Sequence, residues 1–181
     1  SHFGVLKETD AHLGFSGSGA FNGNGGQMSS FLGISDSINL FGGKFFSSLY
    51  IGNSAGVSNN EGMIDSISDI QSSAFGLGYL KQSIFNFGDE ILVSIDQPMR
   101  TESGEMNLKV PVYRTVEKRV LFNSFGFSLR PSVREVHTKA RYTSSYKNIG
   151  LSLTLGYKSD PYHIKSMEDY WYTALGFSIN I

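Results

Sequence analysis

Long runs in which apolar and polar residues alternate one by one leave this chain few folds to choose from. In "LSLTLGYK", Leu151, Leu153, Leu155 and Tyr157 fall on one side of an extended strand, with Ser152, Thr154, Gly156 and Lys158 on the other. "YWYTALGFSINI" puts Trp171, Leu175, Phe177, Ile179 and Ile181 on one face and Tyr172, Ala174, Gly176, Ser178 and Asn180 on the opposite one. The same period-two pattern runs through "HLGFSGSGAFN", "QMSSFLGISDSIN", "KFFSSLYIGN", "SSAFGLGYLKQSIF", "VLFNSFGFSLRP" and "REVHTKARYTSSYK". The last of these has a strongly polar face of His137, Lys139, Arg141 and Thr143.

Residues 86–114, "NFGDEILVSIDQPMRTESGEMNLKVPVYR", read as two more alternating runs hinged at Ser103-Gly104, a tight β-hairpin. Pro98 has no N–H to give a ladder and belongs near a strand end or bulge. Glu102-Ser103-Gly104 supplies the reversal, with Gly104 free to take a positive φ. Arg100, Glu102, Glu105, Lys109 and Arg114 are placed to pair across the hairpin's polar side.

Counting both limbs, the pattern predicts an antiparallel meander of about 8–10 strands in a single β domain covering 1–181. Many strands run to about 10–12 residues, beyond the ~5–6 usual in soluble sheets and near the 9–11 that span a membrane. Turn residues punctuate them at 22–26, 87–89, 102–104, 130–132 and 147–150. One segment departs from the pattern. In 59–73, Met63, Ile67 and Ile70 recur at helical spacing, which predicts a short amphipathic helix near 61–71. This long connection, 54–73, also interrupts any regular alternation of short and long loops.

Composition separates the two ways such strands are used. Charged residues make up 17% of the 181 residues, below the ~25% typical of soluble domains, while aromatics reach 13% and glycines number 21. Ser, Asn and Thr supply most of the polar bulk. This mixture suits strands with one apolar and one neutral polar face, as in a closed outer-membrane-type β-barrel. A soluble β-sandwich or barrel is the alternative, with its apolar stripes covered by a second sheet. Tyr170, Trp171 and Tyr172 at the start of the last strand suit a membrane–water interface. The final strand carries Gly176, Phe177, Ile179 and Ile181 in the loose Gly-x-x-apolar-x-apolar pattern of bacterial outer-membrane barrels, with Ile where Phe is common.

Several function classes fall away. The net charge of −1 gives no electrostatic footing for nucleic acid. The absence of cysteine excludes a disulfide framework and a thiolate zinc site. No run of 18 apolar residues predicts a transmembrane helix. Without a starting Met or a signal segment, the chain reads as a processed or excised piece. His2, His12, His137 and His163 stand in no metal-ligand spacing, and the acidic pairs Asp89-Glu90 and Glu168-Asp169 mark strand entrances. No GxSxG elbow or phosphate-binding loop is present, and no catalytic, cofactor or metal residue is assigned. The chain by itself is expected not to be an enzyme.

The stretches "FGDEILVSIDQPMRTESGEMNLKVPV", "FGFSLRPSVREVHTKARYT" and "GYKSDPYH" resemble the C-terminal region of certain secreted bacterial subtilisin-like serine proteases. The matching positions are Gly88, Asp89, Gln97, Pro98, Arg100, Glu102, Ser103, Gly104, Pro111, Arg130, Pro131, Ser132, Arg134, Glu135, Asp160, Pro161 and His163. The resemblance covers about residues 75–181 and includes none of the protease triad motifs. It implies the non-catalytic tail of a larger secreted protein of autotransporter type, whose barrel anchors or translocates an N-terminal passenger or protease domain. The partners it implies are outer-membrane lipid and the barrel-assembly machinery. The expected location is the bacterial outer membrane or cell surface, or the secreted fraction under the sandwich alternative.

Overall fold

The computed structural model describes residues 2–8, 27–58 and 62–179, and these form an all-β antiparallel protein. The long alternating runs form β1 (His2–Glu8), β2 (Gln27–Leu40), β3 (Gly43–Ser54), β6 (Ile70–Gln82), β7 (Glu90–Ser103), β10 (Val136–Tyr146), β11 (Ile149–Ser159) and β12 (Tyr170–Ile179). These eight pair in the order β1-β2-β3-β6-β7-β10-β11-β12, each antiparallel to the strand before it. A second sheet joins β4 (Val57–Ser58), β5 (Ile64–Ile67), β8 (Glu105–Arg114) and β9 (Val120–Ser128) in the order β4-β5-β8-β9. The described residues hold twelve strands in two sheets rather than one meander of 8–10. The run "HLGFSGSGAFN" and the turn at 22–26 lie outside the described residues.

The two sheets share a strand direction. β5 leads through Ser68-Asp69 into β6, and β7 leads through Gly104 into β8, while β6 pairs β7 and β5 pairs β8. Residues 64–82 and 90–108 are therefore one long ribbon, turned at 83–89. The hairpin expected at Ser103-Gly104 is absent, because β7 and β8 lie end to end and do not pair. Gly104 has φ +148°, and it passes the chain from one sheet to the other instead of reversing it. The reversal comes after β8, at 115–119, where Arg114 pairs Val120.

The helix expected near 61–71 is replaced by β5 and the start of β6. An extra residue at Asp65 shifts the register, so that Ile64 opposes Leu108 and Ile67 opposes Met106 on one face. The break at Ser68-Asp69 does the same for Ile70. Two irregularities in a strand thus reproduce the three-residue spacing of a helix. Three β-branched isoleucines among Ser and Asp favour the extended form. Ile64, Ile67 and Ile70 are the buried hydrophobics among the described residues, with Val57, Met106, Leu108 and Leu129 against them.

The connections are sorted by end. Those at 41–42, 83–89 and 147–148 are short and share one end of the large sheet. Those at 55–69, 104–135 and 160–169 share the other. The long connection at 54–73, which looked irregular, is one member of this set. β1 begins and β12 ends at the short-turn end. No helix among the described residues is long and apolar enough to cross a membrane.

Candidate functional site

Cross-strand register gives the large sheet two chemically different faces. One row runs Phe46, Gly78, Ser94, Lys139, Gly156, Tyr172, and the next runs Ser48, Gly76, Asp96, His137, Lys158, Tyr170. This face carries charge, hydroxyls and glycines. The Phe46 ring lies over Gly78 and the Tyr172 ring over Gly156, in space that a Cβ would fill. On the opposite face stand Ile34, Leu49, Leu77, Val93, Ile95, Leu151, Leu153, Leu155 and Leu175, all exposed. Phe177 is 75% and Ile179 71% exposed there.

Aromatic pairs mark both ends of the apolar face. Trp171 packs on Tyr157 at the long-connection end, ring centroids 4.8 Å apart. Phe85 and Tyr142 meet at the short-turn end, 5.9 Å apart. Tyr79 there donates its hydroxyl to the carbonyls of Leu40 and Phe41. The three aromatics at 170–172 do not act as one group. Strand alternation sends Tyr170 and Tyr172 to the polar face and leaves Trp171 alone on the apolar one. Of the C-terminal pattern, Gly176 sits beside Ser152 on the polar face, Phe177 and Ile179 lie on the apolar face, and Ile181 falls outside the described residues.

At the long-connection end, residues 129–135 form a strap across β7. Arg100, only 3% exposed, donates to Val133 O (3.1 Å), Pro131 O (2.7 Å) and Glu102 Oε2 (2.5 Å). Arg134 clasps Glu102 with both terminal nitrogens at 2.9 Å and donates to Gln97 Oε1 at 2.8 Å. Ser73 completes the carboxylate's shell at 2.7 Å. Pro98 lies where the β6–β7 register shifts, so its missing N–H breaks no ladder bond. Arg100 and Glu102 therefore fasten a loop onto a strand, not one limb of a hairpin to another.

Glu135 joins the strap to the polar face. Its carboxylate meets His137 Nε2, Lys158 Nζ (3.0 Å) and the Tyr162 N–H (2.5 Å). His137 Nδ1 faces Asp96 at 3.3 Å, and Lys139 pairs with Asp96 at 2.9 Å. Burial alone would raise the Glu135 carboxyl; the His137 and Lys158 side chains and the Tyr162 N–H outweigh it and hold the group below its ordinary value. The Glu135 N–H donates to His163 Nδ1 (2.8 Å), so His163 Nε2 carries the hydrogen given to Met99 O (3.3 Å). The turn Pro161–His163 holds Tyr162 and His163 at φ +60°. Glu135 and His163 bond that strained backbone to the strap.

Asp89 plays the matching part at the short-turn end. It is almost wholly buried and accepts from the N–H groups of Ile84 (2.7 Å), Phe85 and Asn86 (both 3.0 Å) and from the Tyr142 hydroxyl (2.9 Å). Burial alone would raise it, and these four donors together keep it below its ordinary value of 3.8.

The sequence reading named Arg100 and Glu102 but assigned no site role to Arg134, Glu135, His163 or Asp89. A signal was present: in a chain with few charges, they gather at 96–102, 130–139 and 158–163. No group of three or more His, Asp or Glu among the described residues is placed to hold a metal. A search of family models, of curated proteins and of solved structures returned no match to this chain.

Proposed function

We propose that this chain is a membrane-anchoring domain, an outer-membrane-type β-barrel made by closing the large sheet β1 to β12. The observation that carries the reading is the exposed apolar face. A soluble domain rarely leaves an apolar patch beyond a few hundred Å² uncovered, and large exposed hydrophobics stand on seven of the eight strands, β10 alone contributing none. From Trp171 to Ile179 the face extends roughly 27 Å along β12, which at a strand tilt of ~40° is about 20 Å along the barrel axis. The apolar band of such barrels is about 25 Å tall.

The sorting of short and long connections supports the same reading, as does the antiparallel direction of the two free edges, β1 and β12. Lipid leaves no unpaired edge affordable, so closure follows from immersion. A soluble sandwich would need a second sheet over the apolar face. The four-stranded sheet instead packs its isoleucines on the other side.

An eight-strand barrel has an interior just wide enough to be filled by side chains. Here Phe46, Tyr50 and Tyr172 occupy the polar face, which favours an anchor over a conduit. What it anchors would be a protein domain attached to it, by the resemblance a secreted subtilisin-like protease. The partners are then outer-membrane lipid and the barrel-assembly machinery, at the bacterial surface.

The test is the mobility of the chain refolded in detergent, run with and without boiling. A folded form that migrates faster before boiling, needs detergent to stay dispersed and gives no large conductance in planar bilayers is expected. A monodisperse, detergent-free domain with no heat shift would reject the barrel. A large steady conductance would keep the barrel and replace the anchor with a conduit.

A further inference from the structure

Apolar residues change sides where the ribbon leaves the large sheet. In β7 the exposed Val93 and Ile95 lie opposite the face of Ser94 and Asp96. In β8 it is Met106 and Leu108 that are apolar, and they pack on Ile64, Ile67 and Ile70. Ile70 shares its face with Ser72, Gly76 and Gly78, the polar face of the large sheet. The side continuous with the exposed apolar belt is now hydrophilic. Lys109 pairs there with Asp65, and Asn107 donates to Ser66 Oγ at 3.1 Å. Ser124 stands on the same side, opposite Lys109.

Such an inversion has a physical cause. In lipid the outward face of a closed sheet must be apolar, and in water it must be polar. A strand that continues straight while its outward face turns hydrophilic has crossed from one solvent to the other. We infer that on β6 and β7 the lipid–water boundary at the long-connection end lies at the level of Ser73, Gln97 and Arg100, where the outward side first turns polar, and that the four-stranded sheet stands in water beyond it. Trp171 and Tyr157, the aromatic pair of that end, then lie near the boundary, where interfacial aromatics collect. Register shifts in β7 between Gln97 and Ser103 and in β5 at Asp65, with the break at Ser68-Asp69 and the passage at Gly104, lie along this change. This inference rests on the membrane reading above and adds to it a depth and a polarity.

The rival geometry swings the small sheet outward, laying the exposed Phe125 and Phe127 against the bilayer. The two geometries differ in neighbouring residues, since Ser124 and Phe125 point to opposite sides of β9. The chain contains no cysteine, so single replacements are unique handles. Leu153→Cys, Ser124→Cys and Phe125→Cys are made in the full chain and refolded into phospholipid vesicles. Each is probed with a membrane-impermeant maleimide and, after labelling with a fluorophore, with lipids brominated in their acyl chains. Retention of heat-modifiable migration confirms folding of each variant, and Leu175→Cys, Ser66→Cys and Phe127→Cys stand in for any that fail.

The expected result is loss of maleimide reaction and strong quenching at Leu153→Cys, with rapid reaction and no quenching at both Ser124→Cys and Phe125→Cys. Free reaction at Leu153→Cys would overturn the membrane reading and this inference together. Protection at Leu153→Cys with quenching at Phe125→Cys, alone or with Ser124→Cys, would leave the barrel standing and overturn the boundary.

Discussion

Asp89 shows how one carboxylate can hold a turn. Three N–H groups and a tyrosine hydroxyl converge on it, and each is better satisfied by the charged form. Its acidity is raised by folding, so the bonds contribute in full above the ordinary value of 3.8 and are lost as pH falls through the lower folded value. Acidification from pH 5 to below about 3 is expected to loosen 83–89, read as faster amide exchange at Ile84, Phe85 and Asn86. In Asp89→Asn the exchange should be fast already at pH 6 and vary less with pH; unchanged protection in that variant would remove the carboxylate from the account. The residue's position at a strand entrance was plain from the sequence. Its four donors were not, because Tyr142 stands far along the chain and is brought over only by the β7–β10 pairing.

Leu129 at the start of the strap 129–135 packs on the isoleucine cluster, and polar bonds from Arg100 and Arg134 join the rest to β7. That makes Arg100 its principal fastening. Arg100→Ala withdraws the donors from Pro131 O and Val133 O, while Glu102 keeps Arg134. The expected cost is about 2–3 kcal/mol, below the usual ~3–5 for a broken buried pair because the carboxylate stays partnered. It is measured as a lower urea midpoint in micelles, together with new protease cleavage between 129 and 135. Cleavage elsewhere with the strap intact would count against this role. At this scale the sequence was legible wherever alternation was unbroken, as in β11 and β12. It misled wherever a bulge altered the period. Ile64, Ile67 and Ile70 imitate a helix because a strand with one extra residue per two brings every third side chain to one face. The pause at Ser103-Gly104 likewise reads as a reversal, since glycine marks a turn and a passage between sheets in the same way.

For the whole molecule, the alternation, the strand lengths and the low charge were enough to specify an antiparallel all-β chain. The pairings β2–β3, β6–β7 and β10–β11 followed from short connections between neighbours, whereas β3–β6 and β7–β10 pair across the segments that build the second sheet. The second sheet did not follow, because β5 and β8 continue strands of the first and the one turn signal between β7 and β8, at Ser103-Gly104, reads as a reversal. Closure is the remaining whole-molecule question, and it has a direct test. Phe3→Cys combined with Thr173→Cys or Leu175→Cys places thiols on the apolar faces of β1 and β12. In the folded state one pair is expected to cross-link with a short bismaleimide, giving a mobility shift under denaturing conditions. Cross-linking only after unfolding, or in neither pair, would argue against pairing of these edges.

The change of side between Ile95 and Met106 also bears on how this chain tolerates substitution. Before it, hydrophobicity is demanded of odd positions in β7, such as 93 and 95; after it, of even positions in β8, such as 106 and 108. A systematic substitution scan along 90–110 would therefore record a periodic signal that slips by half a wavelength between 95 and 106. The slip would locate the solvent boundary from survival frequencies alone.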